Sequence, residues 1–123
     1  YSGWGMFFER NDLIQLNNLI RSDERKKYFS DSYIMEALQL TKDKGFKALQ
    51  ASDIFYNNGI WSAKFEKDIF GCKDDLYVPF MSGFGGITVV LLPNSMLYYY
   101  ISDNYTFSWY PAVYAAHKIK PLC

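Results

Sequence analysis

The residues best suited to chemistry form a short serine- and glycine-containing stretch, Met81-Ser82-Gly83-Phe84-Gly85-Gly86. The apolar run before it predicts a strand, and the glycines predict a permissive corner that leads into a second strand. A glycine-rich loop of this kind binds phosphate when it opens onto a helix N-terminus, and this one does not. From these residues alone, we expect the stretch to be a glycine-rich turn between two strands, with no catalytic role.

A nucleophilic serine or cysteine also needs a base beside it and a group that orients the base. The only imidazole is His117, next to Lys118 near the C-terminus. We expect His117 to have a surface or structural role. One histidine and two distant cysteines match no recognised ligand spacing, so we predict neither a metal nor a cofactor.

Length and charge narrow the class of protein. The chain has 123 residues, with 13 Lys+Arg against 13 Asp+Glu. This balance argues against nucleic-acid binding, which depends on clustered basic residues. No apolar run reaches the roughly 18 residues that span a bilayer, so we predict no membrane span. We interpret residues 1–123 as a single unit, and the start at Tyr1 as a processed product or part of a longer protein.

The first part of the chain predicts two helices. Asn11 is a suitable N-cap for the first, and Ser30 or Asp31 for the second. Asn17 and Arg21 are expected to point away from the packed face of the first helix, and Gly45 to end the second. The residues expected to face inward are Leu13, Leu16 and Ile20, then Ile34, Met35 and Leu38.

The second part predicts antiparallel strands at 60–65, 76–81, 87–92 and 96–101. Pro79 would confine the second strand to an edge or a bulge. Pro93-Asn94-Ser95 predicts a hairpin turn, with Asn94 suited to positive φ. Ser108 and Pro111 predict a last helix. The fold class is therefore α+β, with antiparallel sheet strands and flanking helices.

Cys72 and Cys123 are the only cysteines. They either form a disulfide or are two unrelated thiols, and their number alone does not decide between these alternatives. A last helix that returns across the sheet would carry Cys123 toward the loop before the 76–81 strand. We therefore predict that the two residues are close and, in an oxidising compartment, bridged.

The aromatic content is high, with 11 Tyr, 10 Phe and 3 Trp. Tyr98, Tyr99 and Tyr100 are consecutive, so a strand must point them to alternating faces. Some of these rings are then exposed as a stacking platform for sugars, or they belong to a core or an interface. A non-enzymatic, aromatic-rich binding module, for example for glycans, is thus one alternative for this chain.

Several stretches resemble the β-lactamase-related serine hydrolases, the family of class C β-lactamases, penicillin-binding DD-peptidases and related esterases. YSGWGMFF at residues 1–8, with Asn11-Asp12-Leu13, is similar to the family segment that leads into a helix. YNNGIW at 56–61 and VPFMSGFGGITVVLLPN at 78–94 are similar to its Gly-Trp strand, its Lys/His-Ser/Thr-Gly strand motif and the following hairpin. The resemblance covers essentially the whole chain, but only the C-terminal part of the family domain.

The resemblance implies acyl transfer through a serine of a Ser-x-x-Lys motif, which this chain lacks. It implies catalytic roles for the strand motif Ser82-Gly83-Phe84, in which the Phe84 N–H is one oxyanion donor. Met81, Ser82 and Gly85 are implied to bind substrate. Many family members have Lys or His where this chain has Met81. That difference disfavours a β-lactam carboxylate and favours small ester or amide substrates.

The resemblance further implies a periplasmic or secreted protein that is inactive as this chain alone. A degenerate family member that only binds is another alternative. In the family sheet, the strand at 96–101 pairs with strands from the N-terminal part of the domain. Without them its edge is open, and we expect an edge-to-edge homodimer or pairing with the N-terminal half.

Overall fold

The computed structural model describes residues 9–40, 46–47, 53–83, 86–106 and 108–123. These residues form four α-helices, one 3-10 helix and six β-strands, which confirms the α+β prediction. The helices are α1 (Arg10–Arg21), α2 (Asp31–Ala37), α3 (Lys67–Phe70) and α4 (Tyr110–Ile119), with the 3-10 helix at Asp23–Lys27. The strands are β1 (Phe46–Lys47), β2 (Ile54–Asn57), β3 (Ile60–Phe65), β4 (Leu76–Gly83), β5 (Ile87–Leu91) and β6 (Leu97–Tyr100).

The strands form one antiparallel sheet in which neighbours in space are neighbours in sequence, from β1 to β6. The register pairs Trp61 with Phe80, and Phe80 with Val90. Because successive side chains alternate between faces, these residues share one face, which we call the α4 face. Pro79 and Val89 lie on the opposite face, which we call the α1–α2 face.

The α4 face holds the main hydrophobic core. Val113 and Ala116 of α4 pack there with Trp109, whose ring centroid lies 4.4 Å from that of Phe80. Each large apolar side chain buried in this way contributes about 1.5–3 kcal/mol. Pro111 lies in the first turn of α4, so the predicted last helix is confirmed.

The α1–α2 face is covered by the first two helices. Leu13, Ile34 and Ala37 are buried there. Ser30 caps α2 as expected, because its hydroxyl accepts a hydrogen bond from the Tyr33 N–H at 3.2 Å. The helix ends at Ala37, and Gly45 lies outside the described residues. Met35, expected inside, is 38% exposed.

The first helix differs from the prediction in its start and in its polar residues. It begins at Arg10 after Glu9, not after Asn11, and the Glu9 N–H donates to Asp12 Oδ2 at 2.8 Å. Asn17 and Arg21 do not point away from the packed face. Asn17 is 6% exposed, and its Oδ1 accepts a hydrogen bond from Arg21 Nε at 2.8 Å. The guanidinium is directed inward because it donates to main-chain carbonyls of the β5–β6 turn.

The prediction for Pro79 is wrong, because β4 is an interior strand between β3 and β5. Pro79 is paired with Ser62, and the β3–β4 register passes through it without a bulge. The β4–β5 pairing begins only at Phe80. Pro79 has no N–H to donate, but no hydrogen bond between β4 and β5 is lost, because the pairing of these two strands does not include Pro79.

The predicted hairpin is confirmed as β5 and β6, but its turn differs in one residue. The positive φ of 71° occurs at Ser95, not at Asn94. Asn94 is buried, and its Oδ1 accepts a hydrogen bond from the Met96 N–H at 3.2 Å. The tyrosine alternation is also confirmed, since Tyr98 pairs with Val90 and Tyr99 with Val89 on opposite faces.

The C-terminal segment returns to the sheet as predicted. Cys72 and Cys123 form a disulfide, with their Cα atoms 5.8 Å apart. His117 Nδ1 accepts a hydrogen bond from the Leu122 N–H at 3.3 Å, and its ring centroid lies 5.0 Å from that of Phe70. Its role there is structural. The disulfide is compatible with a periplasmic or secreted location. No helix in the described ranges has the length and hydropathy to cross a membrane.

Candidate functional site

The predicted strand motif lies at the end of an interior strand. Met81, Ser82 and Gly83 are the last three residues of β4. Phe84 and Gly85 lie outside the described residues, so their implied roles stay predictions. The structure thus brings a serine to the point where a central strand leaves the sheet.

Strand alternation separates the two side chains of the motif. Ser82 lies on the α4 face with Phe80, and Met81 lies on the α1–α2 face. Both are half-buried. Within the described part of the chain, Ser82 Oγ has no hydrogen-bond partner. This hydroxyl is therefore open to a ligand.

A second hydroxyl, which the sequence reasoning missed, lies beside Ser82. Thr88 is the cross-strand partner of Ser82 and is 1% exposed. Its Oγ1 is buried without a hydrogen-bond partner among the described residues. Directly paired residues on one face have Cβ atoms about 4.5–5.5 Å apart. The site therefore carries two adjacent hydroxyls, and the only sequence signal for the second was a threonine just after the glycines.

The loop after β6 closes one side of this strand end. Gly86 has a φ of +101°, and a Cβ there would lie 2.9 Å from the main-chain oxygen of Thr106. Only glycine allows this contact between the glycine turn and the loop. Asn104 orders the loop, because its Nδ2 donates to the Tyr100 hydroxyl at 3.0 Å and its Oδ1 accepts from the Thr106 N–H at 3.0 Å. The sequence patterns did not predict this contact between the loop after β6 and Gly86.

One ion pair of the described residues links β3 to the residue before β4. The ion pair on this strand region joins Lys64 Nζ to Asp75 Oδ2 at 3.0 Å, near the start of β4. The hydrogen bond from Lys64 holds the pKa of Asp75 below its ordinary value. Among the described residues, no serine hydroxyl is hydrogen-bonded to a lysine or to His117, and no cluster of His, Cys, Asp or Glu could hold a metal ion. The described residues of the site thus offer hydroxyl groups but no nucleophile–base pair.

Comparison of the chain with protein-family models, with curated proteins and with solved structures finds no match.

Proposed function

We propose that this chain is the C-terminal part of a serine hydrolase domain related to the β-lactamases, and that the end of β4 forms one wall of its acyl-transfer site. The observation that carries the proposal is the hydroxyl of Ser82, which has no hydrogen-bond partner among the described residues, near Gly86, which packs against the loop after β6. The order of elements also supports it. A Trp-containing strand, the Met81-Ser82-Gly83 strand and a hairpin follow one another in the order that the resemblance implies.

In this proposal, the chain binds and orients the substrate. Ser82 Oγ donates a hydrogen bond to the substrate, and the role that the resemblance implies for the Phe84 N–H is that of an oxyanion donor during acyl transfer. One such oxyanion donor is typically worth about 3–4 kcal/mol of barrier. The preference for a small ester or amide without a carboxylate follows from the resemblance, since many family members have Lys or His at the position of Met81. The Met81 side chain itself lies on the opposite face of the sheet from Ser82.

The nucleophile and its base come, in this proposal, from a Ser-x-x-Lys motif encoded upstream of Tyr1. The gene sequence around the coding region for residues 1–123 tests this first. A serine-reactive fluorophosphonate then tests the chemistry, with the labelled residue located by mass spectrometry. We expect label on the upstream serine of the longer protein and none on the 123-residue chain alone. An upstream frame without Ser-x-x-Lys, or acylation of the isolated chain, would contradict the proposal.

The role of Ser82 is tested separately in the longer protein. Ser82→Ala should lower kcat/KM for a p-nitrophenyl ester about tenfold to a hundredfold, the usual effect of losing one hydrogen bond to a charged group. The melting temperature should not change, because Ser82 Oγ makes no bond to the described residues. Ser32→Ala, at an exposed position on α2, is the matched control.

A binding module is the second candidate function. Phe29 and Tyr33 are 41% and 46% exposed, and their rings stack with centroids 5.9 Å apart and an interplanar angle of 17°. Exposed aromatic faces of this kind suit the apolar face of a sugar. Binding of oligosaccharides that Tyr33→Ala abolishes and Tyr114→Ala preserves would favour this alternative.

A further inference from the structure

A cavity lies between the first two helices and the sheet, on the face opposite to Ser82. Its volume is about 410 Å³. Small-molecule sites typically measure about 300–1,000 Å³ and are lined mainly by apolar groups. The helices contribute Ile20, Ile34 and Leu38, and the sheet contributes Tyr77, Pro79 and Leu91.

Apolar side chains also reach solvent at this cavity. Met35 and Leu40 line it and are 38% and 45% exposed. The apolar lining of the cavity is therefore partly accessible to solvent.

Arg21 lines the same cavity, and no carboxylate of the described residues neutralises its positive charge. Among these residues it bonds only neutral acceptors, Asn17 Oδ1 at 2.8 Å and the main-chain oxygens of Leu92 and Met96 at 2.6 and 3.5 Å. No carboxylate of the described residues forms an ion pair with it, and its Nη1 makes no hydrogen bond to them. Burial lowers the pKa of this guanidinium, as expected for a cation removed from water.

The other cation of the cavity is different. Arg25 is paired with Asp31 through an Nη2–Oδ1 distance of 3.1 Å. Its charge is therefore already compensated. Of these two arginines, Arg21 combines partial burial with an Nη1 and a charge that no described residue pairs, which is the arrangement that a planar anion would complete.

We propose that this cavity binds a monocarboxylate with an unbranched alkyl chain, such as a medium-chain fatty acid. The carboxylate lies on Nη1 of Arg21, and the chain lies against Ile34, Leu38 and Pro79. This site is on the other face of the sheet from Ser82, so it does not depend on the hydrolase proposal.

Isothermal titration calorimetry with decanoate tests the site, with decan-1-ol and decyltrimethylammonium as matched ligands. We expect one saturable site for decanoate, affinity at least tenfold lower for the alcohol, and no binding of the cation. One charge-assisted hydrogen bond accounts for a difference of that size. Absence of saturable decanoate binding, or equal affinity for the acid and the alcohol, would overturn the proposal.

Variants then locate the site. Arg21→Gln should reduce decanoate affinity about tenfold without changing that for decan-1-ol, and Arg21→Lys should retain the preference for the acid. Met35→Trp should block both ligands, whereas Ile119→Trp, at a 75% exposed position on α4, should leave binding unchanged. Circular dichroism verifies the fold of each variant. If Arg21→Gln does not fold, the other two variants still test the proposal. Loss of the preference for decanoate over decan-1-ol in Arg21→Lys would contradict it. Unchanged binding of decanoate in Met35→Trp would contradict it as well.

Discussion

Asn94 Nδ2 donates a hydrogen bond to the main-chain oxygen of Lys120 at 2.6 Å. This bond joins the β5–β6 turn to the C-terminal end of α4. The last carbonyl groups of a helix have no partners within the helix. The buried amide of Asn94 therefore caps α4 from a distant part of the chain, while its Oδ1 holds the Met96 N–H within the turn.

Asn94→Ala should lower the free energy of unfolding by about 2–3 kcal/mol, because the turn and the helix end each lose a buried partner. Urea denaturation measures the change. Asn18→Ala, at an exposed position on α1, is the matched control and should change stability by less than about 0.5 kcal/mol. Equal effects of the two substitutions would show that the Asn94 bonds contribute little.

The disulfide should contribute about 4 kcal/mol, since it closes a loop across 51 positions of sequence. The free energy of unfolding of the double variant Cys72→Ser/Cys123→Ser, measured by urea denaturation, should be lower by this amount. Reducing conditions should lower that of the parent chain by the same amount. If a reductant lowered the stability of the double variant as well, the effect would not come from the bridge.

Thr88→Val should raise the free energy of unfolding by about 1 kcal/mol. The substitution keeps the shape of the side chain and removes a buried hydroxyl that has no partner among the described residues. Val90→Thr on the same strand and face is the matched reverse change, and it should destabilise by about 1–3 kcal/mol. A loss of stability in Thr88→Val would indicate that the hydroxyl has a partner after all.

The outer side of β6 should pair with a second copy of the chain. No described strand lies beyond β6. The Leu92 N–H donates to the Met96 oxygen, so the main-chain groups of Met96 face β5. Because main-chain groups along an antiparallel strand alternate between its two sides, the N–H groups of Leu97 and Tyr99 face the open edge. Sedimentation should therefore show a dimer. Tyr99→Pro should abolish it, whereas Tyr99→Ala, which keeps the N–H, should retain it.

A stable monomer whose amides at 97–100 exchange freely with solvent would contradict the edge pairing. A dimer of the isolated chain that disappears in the longer protein would instead favour pairing with the N-terminal half.

Acid should remove the contribution of Asp75 to stability. Hydrogen bonds from Lys64 and from the Lys67 N–H hold its pKa below the ordinary value of 3.8. The unfolded chain therefore takes up this proton at a higher pH than the folded chain does. The contribution is present above about pH 4 and is lost as the pH falls through the folded-state pKa. The difference in melting temperature between the parent chain and Asp75→Asn should be largest near pH 7 and should shrink below pH ~3.

Most of the sheet could be predicted because its signals are local. The period-2 alternation around Ala63 and the turn residues around Asn94 are visible within ten residues of sequence. The positions of Ser82 and Gly83 at a strand end followed from the same pattern. The disulfide was predictable once the last helix was expected to return across the sheet.

The remaining features depend on distant contacts. The inward direction of Arg21 depends on a carbonyl 71 residues away in sequence, which helical periodicity cannot reveal. The interior position of Pro79 is tolerated because a neighbouring ladder begins one residue later. Thr88 became part of the candidate site only through its register with Ser82. In each case the deciding partner lies on another element.

The order of the strands has a consequence for how this chain reaches its native state. Each strand pairs with the one before it, so every step of sheet formation closes a short segment and has a low entropic cost. Two longer-range steps remain, the docking of α1 and α2 on the sheet, which brings Arg21 to the β5–β6 turn, and the docking of α4, which brings Cys123 beside Cys72. Oxidation of the cysteine pair during refolding should therefore follow formation of the sheet, and the appearance of the disulfide would report the docking of α4.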